Sequence, residues 1–233
     1  MVDLTTEMAA LWAALGPVPP GRGRVLQFAS ARTGEGTSSV AREFARLAAV
    51  RADKPVWLID ADLYAQCQLE SVAAEPHRFG RMGAHASASP DGACFFSVQP
   101  PAKDREGKPA PDARHLIARP ALGGRLWVTR FRREGLKPGQ RALIVASAGY
   151  WKALSRHAGY VIVDAPALER TDTAVRLAPY MDATALVVAA ESTEAGDAAR
   201  LRTAIEGAGG RCAGIVFNRA EVKAPAFLSR LMR

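Results

Sequence analysis

Six residues, Gly34-Glu35-Gly36-Thr37-Ser38-Ser39, stand between an apolar run (Val25 to Ser30) and a helical pattern (Val40 to Val50). A strand, a glycine-bearing turn and a helix in that order restrict the chain to folds that begin with a βα unit. The turn itself reads as a phosphate-binding loop: its backbone N–H groups cradle phosphates at a helix N-terminus. In the usual form of that loop a lysine precedes the Ser/Thr hydroxyl and reaches the β- and γ-phosphates. Here Thr37 occupies the lysine position. The chemistry left to such a loop is therefore the first question the sequence poses.

Further along, apolar runs at Pro55 to Ile59, Tyr160 to Val163, Ala183 to Ala189 and Cys212 to Phe217 alternate with helical patterns at Asp172 to Ala178 and Glu194 to Ala208. A helical stretch is also expected near Gln140 to His157, and a last helix at Pro225 to Met232. Alternating strands and helices predict an α/β fold with a doubly wound, mostly parallel sheet. Ligands in such sheets bind beyond the carboxyl ends of the strands. Ser30, Asp60, Asp164 and Asn218 all fall at such ends. Leu4, Met8, Leu11, Trp12 and Leu15 form one face of a short N-terminal helix closed by Pro17, which covers a core or meets a partner. The predicted organisation is this helix and a linker over residues 1–20, then a P-loop NTPase-like domain over 21–233. Within that domain, residues 73–124, rich in Pro, Gly, Ala, Ser and charge, read as a largely irregular insertion with one strand candidate at Cys94 to Val98.

The site residues follow from this frame. Gly34, Glu35, Gly36, Thr37, Ser38 and Ser39 are the expected phosphate cradle. Ser38, Asp60 and Asp164 are the expected Mg²⁺ ligands, and Asn218 is placed to read an adenine edge. Asp60, Asp62 and Asp164 are the candidate catalytic acids of any surviving activity. Each position has an ordinary reading taken singly: a turn, a helix cap, an acid closing a strand. Their order and joint placement are what carry the inference.

Charge and cysteine content bound the partners. The 31 Lys and Arg against 23 Asp and Glu give a net charge of +8. Pro76 to Arg141 alone holds thirteen Lys or Arg and five Asp or Glu, which accounts for the whole surplus. A basic segment on a neutral domain suits an acidic protein surface or an anionic membrane. Arg130, Arg132 and Arg133, with Trp127 nearby, form its densest cluster. No nucleic-acid-binding motif is present, so nucleic acid is not the expected partner. Cys67, Cys94 and Cys212 have no metal-ligand spacing and cannot all pair, which suggests a reduced, cytoplasmic chain. The first residues carry Asp3 and Glu7 rather than a basic stretch, so no secretory leader is expected. No apolar run approaches the ~18 residues a membrane span needs.

Residues Ser30 to Ser39, Val56 to Asp62 and Tyr160 to Pro166 resemble, in order and spacing, the Walker A, A′ and B motifs of bacterial tyrosine kinases. These are cytoplasmic ATPase modules of polysaccharide co-polymerases and relatives of the MinD/ParA ATPases. Gly214 to Arg219 is similar to that family's last strand. The resemblance covers about residues 24–62 and 125–219 and leaves out the insertion. It implies ATP or ADP with Mg²⁺ as ligand, and a membrane polysaccharide co-polymerase of the Wzz-like chain-length type as partner. It also implies homo-oligomers and a cytoplasmic site peripheral to the inner membrane.

The departures are as informative. Thr37 replaces the family's lysine, and Thr33 its proline. The family's N-terminal Glu-x-x-Arg-x-x-Arg motif would fall on Glu7, Ala10 and Ala13, without either arginine. The tail from Ala224 to Arg233 has no tyrosine; the four tyrosines are Tyr64, Tyr150, Tyr160 and Tyr180. Clamp, ring motif and phosphoacceptor are all altered, so the expectation is a degenerate member: a regulatory or scaffolding component of exopolysaccharide export. The alternatives are an active ATPase or autokinase using a substitute cation such as Arg32, and a ParA/MinD-like positioning ATPase.

Overall fold

The computed structural model describes residues 4–102, 107–108, 110–190 and 194–219. The expected helix at Pro225 to Met232 and the tail lie outside the described residues. Helix α1 (Thr5–Leu15) leads into strand β1 (Arg24–Ala29), the glycine loop and helix α2 (Thr37–Arg51). Then come β2 (Val56–Asp60), α3 (Gln68–Ala74), α4 (Pro76–Phe79), β3 (Ala86–Ser87), β4 (Phe96–Gln99), β5 (Leu116–Ala121), β6 (Leu126–Phe131) and β7 (Arg141–Ile144). The chain continues through α5 (Gly149–His157), β8 (Tyr160–Asp164), α6 (Thr173–Leu177), β9 (Ala183–Ala189), α7 (Ala195–Gly207) and β10 (Cys212–Asn218).

The main sheet has eight strands in the order β10-β9-β1-β8-β2-β6-β5-β3. The first six run parallel; β5 and β3 extend them antiparallel. Parallel strands are buried on both faces and need apolar residues at nearly every position. Accordingly β1, β8 and β9 are buried throughout. Side chains alternate between faces along each strand. Leu26, Phe28, Tyr160 and Ile162 meet α2 and α1 on one side. Val25, Val161 and Val163 meet Tyr150, Trp151 and Leu154 of α5 on the other. Leu186 packs beneath Leu201 and Ile205 of α7.

The N-terminal helix covers this core. Met8 is 1% exposed, and the Trp12 ring lies 4.8 Å from that of Tyr160 and 6.2 Å from that of Phe44. The Arg24 guanidinium donates to the carbonyls of Leu15, Gly16 and Pro17, so a charge on the central strand satisfies the orphan acceptors at the helix end.

Two sequence expectations are corrected here. Residues 73–124 hold more than the one strand expected near Cys94 to Val98: Leu116–Ala121 forms a six-residue strand that pairs along its whole length with β6. Pro120, lacking a donor, argues against a strand in sequence. An outer antiparallel strand tolerates it, and only two residues of β3 flank β5 on its far side. The second correction concerns Gln140 to His157. Arg141–Ile144 is a strand paired antiparallel with β4 in a separate two-stranded sheet, and the helix begins only at Gly149. Strand preference at half-exposed positions depends on the partner strand, and that partner is some 45 residues away in sequence.

Candidate nucleotide site

The loop is built on two glycines. Gly34 and Gly36 have φ of 86° and 90°, a region L side chains rarely adopt. At Gly36 a Cβ would stand 2.0 Å from the Asn218 amide nitrogen, so the position is closed sterically as well. Asn218 Nδ2 donates to the Glu35 carbonyl at 2.9 Å, and its Oδ1 accepts from the Arg219 N–H at 3.0 Å. Asn218 thus straps the end of β10 beneath the loop, with both ends of its amide engaged. The buried Glu35 carboxylate accepts from the Arg32 N–H at 2.8 Å, closing the loop on itself. The outer side is held by the Thr33 N–H donating to Glu169 at 2.6 Å. The loop leads directly into α2, whose first residue is Thr37. The Thr37 side chain is 7% exposed and its Oγ1 has no hydrogen-bond partner among the described residues.

Below the loop lie two carboxylates. In the β2/β8 ladder Asp60 pairs directly with Asp164, so parallel neighbours present their acids side by side. Asp60 accepts from the N–H groups of Asp62, Cys67 and Gln68 at 3.2, 2.9 and 3.1 Å. Asp164 Oδ2 accepts from Gln68 Nε2 at 2.7 Å, whereas its Oδ1 is buried without a partner among the described residues. Gln68 is fully buried: its Nε2 also donates to the Ser38 carbonyl at 2.8 Å, and its Oε1 accepts from Arg42 at 3.1 Å. One residue therefore joins both acids, the loop helix and a cation: its backbone N–H serves Asp60 and its side-chain amide serves Asp164, Ser38 and Arg42. Burial, then the neighbouring Asp164, pushes Asp60 up to about 7. Burial pushes Asp164 up to about 6, against the lowering influence of the Gln68 amide and of the nearby Ser38 hydroxyl. Burial likewise raises the Cys67 thiol.

Gly34, Gly36, Thr37, Ser38, Ser39, Asp60, Asp62 and Asp164 converge on one open cleft of about 260 Å³. Of the predicted residues, Glu35 and Asn218 stand beneath the loop instead. Arg32 is turned away: its guanidinium pairs with the buried Asp197 of α7, which also pairs with Arg200. Two other cations line the cleft, Arg170 and Arg219. Arg170 Nη1 reaches Asp62 Oδ2 at 2.6 Å across the mouth. Cys67, Gln68, Arg170 and Arg219 escaped the sequence reading. Arg219 directly follows Asn218 and could have been found from it; the other three sit in turns or at a helix start, where no local pattern marks them. A Mg²⁺ ion takes oxygen ligands. The Asp60 and Asp164 carboxylates and the Ser38 hydroxyl supply three, and the orphan Asp164 Oδ1 is one that a cation would satisfy.

The fold has counterparts among solved structures. The kinase domain of VpsO is 17% identical over 94% of this chain and 93% of that one, with a TM-score of 0.56. The kinase domain of the Escherichia coli tyrosine kinase ETK is 16% identical over 94% and 75%, with a TM-score of 0.59. The fold is that of the bacterial tyrosine kinase domains. A nucleotide-binding protein from Archaeoglobus fulgidus, solved with ADP and with cobalt found in it, is 17% identical over 94% and 74%, with a TM-score of 0.52. No family model and no curated protein matches the chain.

Two expectations follow from the geometry. Gln68→Leu leaves the Ser38 carbonyl, an Asp164 oxygen and Arg42 without their partner. Chemical denaturation is expected to show a loss of about 1–3 kcal/mol. The second concerns pH. Carboxyls whose folded pKa is raised bind protons more tightly in the folded state, so the stability this pair contributes is fully present in acid and is lost as pH rises between about 4 and about 7. Asp164→Asn removes the facing charge and keeps an acceptor for Gln68. In metal-free buffer at pH 8 it is expected to be more stable than wild type, on the order of 1–3 kcal/mol, and to flatten the pH profile. Equal pH profiles for the two proteins would refute the repulsion argument.

Proposed function

We propose that this chain is a degenerate tyrosine-kinase-like P-loop protein. It acts as a cytoplasmic regulatory or scaffolding component of exopolysaccharide biosynthesis and export, docked on a membrane polysaccharide co-polymerase. One observation carries the reading: at the point where triphosphate chemistry needs a lysine, the loop has the buried hydroxyl of Thr37, without a partner among the described residues. The substitute cation expected from the sequence, Arg32, is committed to Asp197. Losing one preorganised donor aimed at developing charge costs roughly 10²–10³ in rate. The cradle, the acids and the hydroxyl of Ser38 remain, so nucleotide is retained weakly, as a ligand that sets conformation rather than as a substrate.

A second reading is favoured by Arg170 and Arg219, which line the cleft. Arginine clamps phosphate bidentately, and Arg170 could exchange Asp62 for a phosphate oxygen. In that case the protein is an ATPase or autokinase with a substitute cation.

Calorimetric titration with ATP·Mg²⁺, with hydrolysis measured on the same sample, separates the two. The first reading expects weak binding with background turnover. It also expects Thr37→Lys to gain about 1.5–3 kcal/mol, roughly 10–150-fold in Kd. Robust turnover in the native protein that is lost in Arg170→Ala establishes the second reading instead.

The docking surface we assign to the basic segment. Arg130 and Arg132 share Glu134, while Arg133 donates to the Tyr64 carbonyl at 2.9 Å and stacks over its ring. Arg130 and Arg132 are therefore the pair to reverse without disturbing the fold. Basic residues near an anionic membrane contribute about 1 kcal/mol each. Arg130→Glu with Arg132→Glu is expected to release the protein from anionic vesicles and from the membrane fraction, as does rising salt in wild type. Unchanged association in the double variant removes the segment from the docking model.

A further inference from the structure

Three potential metal-ligand atoms meet at the floor of the cleft. One oxygen each from Asp60 and Asp164 and the Cys67 sulfur lie within 4.8 Å of one another. The spacing of Cys67 in the sequence carries no metal signature; the fold creates the set. Asp60 closes β2, Asp164 closes β8 beside it, and the turn after β2 returns Cys67 over both. The Cys67 N–H donates to Asp60 at 2.9 Å, which holds the main chain of this residue against the acids.

A second observation points to a cation. Asp164 is 4% exposed, and its Oδ1 is buried without a hydrogen-bond partner among the described residues. Buried acceptors of this kind are satisfied or they cost free energy. Arg170, a cation that lines the cleft, is paired with Asp62. Ser38 lines the same cleft, and its hydroxyl offers a further donor.

The donor set differs from that of a Mg²⁺ site in one respect. Mg²⁺ takes oxygen only, in near-ideal octahedra, and keeps several waters. A thiolate is a soft ligand, and sites that combine it with carboxylate favour Zn²⁺ and its neighbours. A tetrahedral ion with bonds of about 2.0–2.3 Å holds its ligand atoms about 3.5 Å apart, so small side-chain rotations close the set. We infer that Cys67, Asp60 and Asp164 form a thiophilic divalent-metal site, selective for Zn²⁺-class ions over Mg²⁺. On binding, the Cys67 S–H bond breaks, its proton goes to solvent, and the sulfur lone pair forms the metal bond. The site shares Asp60 and Asp164 with the Mg²⁺ position described above, and Cys67 is the ligand that sets it apart. It therefore rests on the same cleft as the proposed function, and metal binding without nucleotide tests it apart from any turnover.

Co²⁺ is the probe, because a cobalt–thiolate bond has a charge-transfer band in the near ultraviolet. Titrating the full chain with Co²⁺ alone, without nucleotide, is expected to raise that band to saturation at one equivalent. Zn²⁺ should abolish it at stoichiometric amounts, while a large excess of Mg²⁺ leaves it in place. Cys67→Ser is expected to lose the band outright, whereas Cys94→Ser and Cys212→Ser retain it. Circular dichroism of each variant reports whether the fold is kept. Asp164→Asn, which keeps the thiol, is expected to weaken Zn²⁺ binding. No band in wild type, a band that survives Cys67→Ser, or displacement by equimolar Mg²⁺ would each overturn the assignment.

Discussion

Two carboxylates in register on adjacent strands organise this molecule. The β2/β8 ladder sets Asp60 opposite Asp164, and both are buried. Like charges at such range in a low-dielectric setting oppose folding unless something neutralises them. The surrounding structure responds to that need. Three backbone N–H groups from the turn after β2 point at Asp60. Gln68 reaches from the start of α3 to Asp164 and to the loop helix. The turn and α3 therefore take their positions largely from the acids they serve. What the protein cannot supply to these oxygens, a cation in the cleft can.

Much of the central architecture was legible in the sequence, because buried parallel strands must be apolar and must end where ligands bind. β1, β2, β8, β9 and β10 fall where the apolar runs predicted them, and their ends bring Asp60, Asp164 and the glycine loop to one place. The periphery was less legible. β5 carries Arg119 and Pro120, and its status as a strand rests on β6 pairing beside it. β7 depends in the same way on β4. Within the site, Gln68 and Arg170 had no local signal. A glutamine at a helix start is ordinary until two distant strand ends converge on it. Asn218 was found for its position, and the structure adds its contact with the loop backbone.

The arginines show why net charge is a poor guide to surface. Arg24 holds the end of α1. Arg125 donates to carbonyls of Ala49, Val50 and Ala52 at the end of α2, and Arg119 to those of Gly83 and Met82. Arg32 and Arg200 share Asp197. Each is a cation placed against a carbonyl or a carboxylate. Several of the positive charges counted in sequence are thus internal joints, and a smaller set remains for phosphate or membrane.

The contact from Asn218 to Glu35 spans 183 residues of chain. Gly36 rests against the same amide, so the glycine loop takes its final shape only when the last strand has docked. Closing so long a segment is slow relative to forming local turns. During synthesis the N-terminal half emerges first and waits. Through most of its time on the ribosome the chain carries the loop sequence without a finished cradle. Ligand capture becomes a property of the completed molecule and not of the nascent one.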